Sequence, residues 1–138
     1  MDQKLQVLAG VPLFAGLAGR ELEEIGRLCD EVSLKAGHVI AREGTSGSEF
    51  FVILDGTVAV TKGGEHLRDM GRGDFFGELA LLGHVPRTAS VTCTTDGEFL
   101  VLGRREFSQL LADYPSIQGA VLQALASRIA TLAPDHTH

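Results

Sequence analysis

The sequence predicts a mainly β domain of short antiparallel strands, a sandwich or jelly roll, with helices at both ends. Three observations favour this fold. Glycine supplies 17 of the 138 residues and proline only 4, and many glycines in an apolar chain indicate many tight turns. Through the middle of the chain, apolar residues alternate with polar ones at the period of a strand. Near both ends the apolar spacing becomes three or four residues, which indicates helices.

Residues 1–30 are expected to be helical. Leu22, Ile25 and Leu28 recur at helical spacing, and glutamates crowd the first turn of this segment, where the helix dipole favours acidic side chains. Upstream, Pro12 interrupts an apolar stretch, which predicts a short turn or a 3₁₀ helix.

Residues 31–103 are expected to form the strands. Phe50 to Leu54 is continuously apolar, as in a strand that is buried on both faces. Glycine-containing turns predict two hairpins, one at 62–65 and one at 95–98. The segment 77–82 lacks β-branched residues and is expected to form a short helix.

Helix is predicted to return over residues 104–133, completing a single domain over 1–138. Arg104 to Ala112 carries apolar residues on one side, and Pro115 suits the first position of a second helix. In that second helix an apolar side chain recurs every four residues for about four turns. Its members are Ile117, Val121, Leu125 and Ile129.

Charge and composition exclude several classes of partner. The net charge is −6 and no lysine- or arginine-rich run is present, which disfavours nucleic-acid binding. No apolar run approaches the ~20 residues of a membrane span, and no signal-peptide pattern is visible. We therefore expect a cytoplasmic protein. Cys29 and Cys93 lack metal-ligand spacing and are expected to be buried, reduced thiols.

The segment from Gly71 to Val91 carries the clearest chemical signal. It joins a strand end to a short helix through glycines, which leaves backbone N–H groups available for an anion. Gly77 would let a ligand approach the backbone, and Glu78 could accept a hydrogen bond from a sugar hydroxyl. Arg87 could pair with two phosphate oxygens. These residues suit a ligand that has an anionic group and a nearby hydroxyl.

The stretch FGELALLGHVPRTASV, residues 76–91, resembles the phosphate-binding cassette of cyclic nucleotide-binding domains. That family includes domains of protein kinase A regulatory subunits, cyclic nucleotide-regulated channels and the catabolite activator protein. Gly37, Gly44 and Gly56 also match its glycine pattern, and the likeness covers about residues 10–132. The resemblance implies an antiparallel β-roll with N-terminal helices, a short cassette helix and two C-terminal helices called B and C.

The resemblance also implies roles for individual residues. Glu78 would bind the ribose 2′-hydroxyl, and Arg87 would neutralise the cyclic phosphate of cAMP or cGMP. Backbone N–H groups of the cassette would add hydrogen bonds, namely those of Gly77, Ala80 and either Ala89 or Thr88. The full set of implied ligand-binding residues is Gly77, Glu78, Leu79, Ala80, Arg87, Thr88 and Ala89.

Several features leave alternatives open. A threonine at position 88 often assists cGMP in the family, yet it does not exclude cAMP and could be an ordinary strand residue. In the family the C helix closes over the base, and Leu122, Leu125 and Ile129 are the candidate lid residues here. The same apolar stripe would equally suit a core helix or a dimer interface. The loop before the buried strand lacks the acidic residue that the family often has there, although Glu49 could replace it.

The function that follows is a standalone cyclic nucleotide sensor without catalytic activity, metal or cofactor. It would act on a protein effector, or on a second copy of itself through helix C. A nucleotide-free structural or dimerisation module with the same fold is the main alternative. A cupin-type metalloenzyme needs clustered histidines, whereas His38, His66 and His84 are isolated. A fragment of a transcription regulator would need a helix-turn-helix domain, but two helices already account for the residues after the cassette.

Overall fold

The computed structural model describes residues 3–83 and 86–136, and in it two four-stranded antiparallel sheets are flanked by helices. The side chains of Leu79, Leu125 and residues 127–136 lie outside the described part. The helices are α1 (Gln3–Ala9), α2 (Gly19–Leu28), α3 (Arg104–Asp113) and α4 (Pro115–His136), with 3₁₀ helices at Pro12–Phe14 and Glu78–Leu81. The strands are β1 (Asp30–Leu34), β2 (Val39–Ala41), β3 (Glu49–Asp55), β4 (Val58–Lys62), β5 (Glu65–Met70), β6 (Phe75–Phe76), β7 (Ser90–Cys93) and β8 (Gly97–Gly103).

The strand orders confirm the predicted β-roll. One sheet has the order β1-β8-β3-β6 and the other has the order β2-β7-β4-β5, with every pairing antiparallel. The 3₁₀ helix at Glu78–Leu81, which we call the cassette turn, lies between β6 and β7. The two C-terminal helices are present as α3 and α4 and begin at the predicted residues.

The two predicted hairpins have different outcomes. The first is confirmed: β4 pairs with β5, and Gly63 and Gly64 have φ values of 59° and 82° that suit a tight primed turn. The second is wrong, because β7 and β8 belong to different sheets. Gly97 serves a close approach of two backbones there, since a Cβ would lie 2.8 Å from the Asp55 carbonyl oxygen. Gly56 is its counterpart, where a Cβ would lie 2.6 Å from the Asp96 carbonyl oxygen.

Strand β3 divides the core into two parts. All five of its central residues are buried, which confirms the prediction of a strand buried on both faces. Phe50, Val52 and Leu54 pack into the cluster beneath the helices, whereas Ile53 packs into the cluster between the sheets. This strand therefore holds the helical layer and the roll together.

The helices pack on one side of the roll around Phe14 and Phe107, whose ring centroids are 6.2 Å apart. The carboxylate of Glu21 accepts a hydrogen bond from the Ala18 N–H at the start of α2 and another from the Ser116 hydroxyl at the start of α4. These bonds lower the pKa of Glu21 below its usual range. The carboxylate therefore ties the N-terminal helical segment to α4.

Both cysteines are buried free thiols, as predicted. Burial raises the pKa of Cys29 to about 12, because the thiolate would lose its hydration. Burial is also the main cause that raises the pKa of Cys93.

Candidate functional site

A cavity of about 600 Å³ opens beside the cassette. Its walls come from β4, β5, β6, the cassette turn and the segment that leads into β7. Six of the seven ligand-binding residues implied by the sequence line it, and the side chain of the seventh, Leu79, lies outside the described residues. The six are Gly77, Glu78, Ala80, Arg87, Thr88 and Ala89.

The backbone of Arg87 is aligned by the loop that joins β2 to β3. Its N–H donates to the Thr45 carbonyl at 2.8 Å, and its carbonyl accepts from the Gly44 N–H at 2.8 Å. Next to it, Pro86 forms an isolated bridge with Ser46. Because Gly44 has a φ of 83°, a conformation that L side chains rarely adopt, the loop depends on this glycine for its shape.

The guanidinium of Arg87 lies in a narrow seat between Gly47 and Gly77. A Cβ on either glycine would overlap guanidinium atoms. The Nη2 atom donates to the carbonyl oxygen of Glu49 at 2.9 Å. Burial lowers the pKa of Arg87, and the negative charge of Glu49 opposes that shift. The arginine is thus a half-buried cation with a defined position on the cavity wall.

Glu49 contributes its carbonyl to this seat, while its carboxylate acts on the arginine electrostatically. The sequence suggested that Glu49 could replace a missing acidic residue, and the structure assigns the direct contact to the backbone oxygen. Any residue at position 49 could offer that oxygen.

Gly77 adopts a φ of 80°, and a Cβ there would also lie 2.9 Å from the Glu49 carbonyl oxygen. The sequence suggested that this glycine lets a ligand approach the backbone. In this structure the adjacent space is filled by the Arg87 guanidinium. The glycine therefore makes room for the arginine as well as permitting the turn.

The cassette turn begins at Glu78, which is 9% exposed and lines the same cavity as Arg87. A carboxylate and a guanidinium thus line one cavity. The Ala80 N–H donates to the Gly77 carbonyl at 3.0 Å and closes the turn. A hydrogen bond from this N–H to a ligand would therefore require the turn to open.

The cavity also contains residues that the sequence did not single out. Arg68 and Asp69 of β5 line it together with the apolar side chains of Val60 and Met70. Strand β5 was visible in the sequence as half of a hairpin, but which of its residues face the cassette depends on how the roll closes. No local pattern could have identified them.

Of the three predicted lid residues, the structure describes the side chain of one. Leu122 is 59% exposed and does not line this cavity. The side chains of Leu125 and Ile129 lie outside the described residues. Lid closure thus stays a prediction.

Among the described residues, no group of three or more histidine, cysteine, aspartate or glutamate side chains could hold a metal ion. No helix within the described ranges has the length and apolar character to cross a membrane.

The comparison with known proteins identifies the family of the chain. The family model described as the cyclic nucleotide-binding domain matches residues 31–114, and the chain therefore belongs to this family. The model describes a binding domain and not a catalytic one.

Among curated proteins, the chain is 37% identical over 124 residues to the cGMP-dependent protein kinase egl-4 of Caenorhabditis briggsae. The match covers 85% of this chain but only 17% of that kinase.

Two solved structures are similar over most of the chain. The N-terminal domain of a transcriptional regulator from Streptomyces coelicolor A3(2) has a TM-score of 0.87 at 30% identity, covering 94% of both chains. The regulatory domain of Toxoplasma gondii PKA, solved with cAMP, has a TM-score of 0.72 at 31% identity. That match covers 78% of this chain and 43% of the other.

Proposed function

We propose that the chain is a sensor that binds cAMP or cGMP in the cavity beside the cassette and changes the position of its C-terminal helices in response. The observation that carries the proposal is the seated guanidinium of Arg87 in the same cavity as the carboxylate of Glu78. A cyclic nucleotide offers one anionic phosphate and one ribose 2′-hydroxyl, which match a cation and a carboxylate acceptor.

The cyclic phosphate would bind to Arg87. Guanidinium pairs with phosphate through two parallel hydrogen bonds, and a half-buried position strengthens that attraction because water screens it less. The net charge of −6 works against nucleic acids, which need an extended basic surface. It does not prevent one placed arginine from binding one anionic nucleotide.

The ribose and the base would take the rest of the cavity. Glu78, whose side chain is largely shielded from solvent and lines the cavity, would accept the 2′-hydroxyl hydrogen. The base is left with a mixed lining, apolar at Val60 and Met70 and charged at Arg68 and Asp69. Thr88 is exposed on the cavity wall, where its hydroxyl could contact a guanine edge.

A protein partner would detect the movement of α3 and α4. The relatives include the cGMP-dependent protein kinase and the PKA regulatory domain, and in both the matched region is less than half of a longer chain. We propose that this chain acts as a sensor in its own right. The similar S. coelicolor structure, which is the N-terminal domain of a longer regulator, supports only the point that a domain of this type can fold without the rest of its chain. A cytoplasmic location is a prediction from the sequence.

Calorimetric titration with cAMP and with cGMP tests the proposal. Wild type should bind at least one of them with micromolar or tighter affinity. Arg87→Ala should weaken binding by about 100-fold or more, because it removes a partly buried charge pair. Arg105→Ala is the matched control, since it removes an exposed arginine outside the cavity and should leave binding unchanged. No heat with either nucleotide from folded wild type would refute the proposal.

One observation favours a second candidate, a nucleotide-free dimerisation module. Leu122 on α4 is 59% exposed, which leaves this apolar side chain accessible to a second copy of the chain. Sedimentation velocity separates the two. A dimer that dissociates on Leu122→Asp, combined with no calorimetric response to nucleotides, would favour the module.

A further inference from the structure

Arg104 is the first residue of α3, and its side chain reaches the end of the cassette turn. Its Nη1 atom donates to the carbonyl oxygens of Ala80, at 3.3 Å, and Gly83, at 3.0 Å. Carbonyls at the end of a helical turn lack partners within the turn, and a cation is favoured there. The side chain therefore connects the cassette turn to the start of α3.

The backbone of Arg104 connects α3 to the other wall of the site. Its N–H donates to the Ser48 carbonyl at 2.8 Å. Ser48 lies between Gly47, the loop residue beside the Arg87 guanidinium, and Glu49, the first residue of β3, whose carbonyl accepts from it. One residue at the start of α3 is thus bonded both to the cassette turn and to the loop that seats the arginine.

Apolar packing alone would leave this junction loosely defined. Leu81 of the cassette turn belongs to the same buried cluster as Phe107 and Leu110 of α3. Hydrophobic contact is non-directional, so it holds the cassette turn against α3 without defining the position of the turn along the helix. The planar guanidinium has defined hydrogen-bond directions and can define that position.

We propose that Arg104 is a positioning residue that transmits occupancy of the nucleotide site to α3, a role that rests on the proposed function for its ligand. A phosphate bound to Arg87 would pull on the guanidinium whose Nη2 also donates to the Glu49 carbonyl. The loop between β2 and β3 then shifts. Because the Ser48 carbonyl accepts from the Arg104 N–H, the start of α3 shifts with it. Any change in the cassette turn on binding would also move the carbonyls of Ala80 and Gly83, and these carbonyls are bonded to the Arg104 side chain.

The first arm of the test needs no ligand. Backbone hydrogen exchange is measured for residues 78–83 in wild type, Arg104→Met, Arg104→Lys and the control Arg105→Met, which removes the exposed neighbouring charge. Arg104→Met should exchange at least about tenfold faster in the cassette turn, because it loses the charged hydrogen bonds to the carbonyls of Ala80 and Gly83. Arg104→Lys should be intermediate, because an ammonium can replace one of the two contacts. Arg105→Met should match wild type.

Two results of this arm overturn the positioning role. One is exchange in Arg104→Met that equals wild type. The other is an equal acceleration in Arg105→Met, which would mark a general effect of charge on α3. A thermal melt of each variant separates a local effect from loss of the fold. If Arg104→Met does not fold, Arg104→Lys carries the comparison.

The second arm uses saturating cAMP or cGMP. Wild type should show slower exchange in residues 105–113 on binding. Arg104→Met should still bind, since Arg87 is intact, but should lose most of that response. A wild-type response of α3 in Arg104→Met overturns the transmission, and so does a wild type that binds without any α3 response. If wild type binds neither nucleotide, the proposed function and the transmission both fail, and the first arm alone decides whether Arg104 positions the turn.

Discussion

Replacing Gly47 by alanine should disable the site while leaving the fold intact. Gly47 does not have a positive φ, so alanine can adopt its backbone conformation. The added Cβ would overlap three atoms of the Arg87 guanidinium group. These atoms are the far end of a flexible side chain, so the arginine would move and the backbone would stay.

The expected magnitude follows from the displacement. Ordinary van der Waals contact begins near 3.4 Å, so the guanidinium must retreat by about 1 Å from the new methyl group. Its bond to the Glu49 carbonyl is 2.9 Å long, and a shift of that size takes a donor outside hydrogen-bond range. A guanidinium displaced by that distance should also lose about one charged hydrogen bond to a bound phosphate, which is worth about 1.5–3 kcal/mol and corresponds to roughly 10- to 150-fold weaker nucleotide binding.

The assay combines calorimetric titration with thermal unfolding. Gly47→Ala should bind more weakly by the stated factor and unfold at nearly the wild-type temperature. Gly77→Ala is the informative contrast, because its φ of 80° adds backbone strain and its Cβ meets the Glu49 carbonyl, so stability should fall as well. Gly19→Ala, where the added Cβ meets nothing within 4 Å, is the control. Wild-type affinity in folded Gly47→Ala would refute the seat as the structure describes it.

Three further predictions concern stability and ionisation. Phe107→Ala should lower the free energy of unfolding by about 3–5 kcal/mol in denaturant titrations, because Phe107 is fully buried. Leu67→Ala, at a position that is 53% exposed, should change it by no more than about 0.5 kcal/mol, and equal losses in the two variants would contradict the described core. Because burial raises the pKa of Cys29 from its usual 9.0 to about 12, the folded chain keeps a proton that the unfolded chain loses, and stability should fall as the pH rises above about 9. Cys29→Ala should reduce that slope by up to about 1.4 kcal/mol per pH unit, and an unchanged slope between pH 9 and 10 would count against the shift. Ser116→Ala should raise the pKa of Glu21 toward its ordinary value, because it removes the hydrogen bond that lowers this pKa most; a carboxyl NMR titration measures the shift. The stabilisation of the fold by that bond is present above about pH 4.5 and is lost as the pH falls through the lowered pKa.

The sequence predicted the parts of this protein whose causes are local. The buried strand at β3, the hairpin at Gly63 and Gly64 and the two C-terminal helices each follow from side-chain periodicity or from a turn residue. The wrong hairpin at 95–98 shows the limit of this reasoning. A glycine can serve a turn or a close approach of distant strands, and only the sheet order distinguishes the two.

In the candidate site, too, residues that are close in the sequence could be predicted, and contacts between distant residues could not. Glu78 and Arg87 could be identified because one continuous stretch carries both. The seat of Arg87 could not, since it needs Gly47, which is forty positions away from it in the chain and has no distinctive spacing. The bonds of Arg104 to Ala80 and Gly83 also depend on where α3 begins relative to the roll.

The Ala80 N–H is the backbone donor through which a ligand would act on the cassette turn. This donor closes the cassette turn by bonding to the Gly77 carbonyl, so a ligand that takes it must break that bond. The far end of the turn would still be held, because Arg104 contacts the carbonyls of Ala80 and Gly83 from outside the turn. A turn that opens at its start and is anchored at its end can rotate about that anchor, which lies on α3. In the proposed mechanism, exchange of this one hydrogen bond would displace the start of α3, and the size of the displacement would depend on the directionality of the guanidinium contacts.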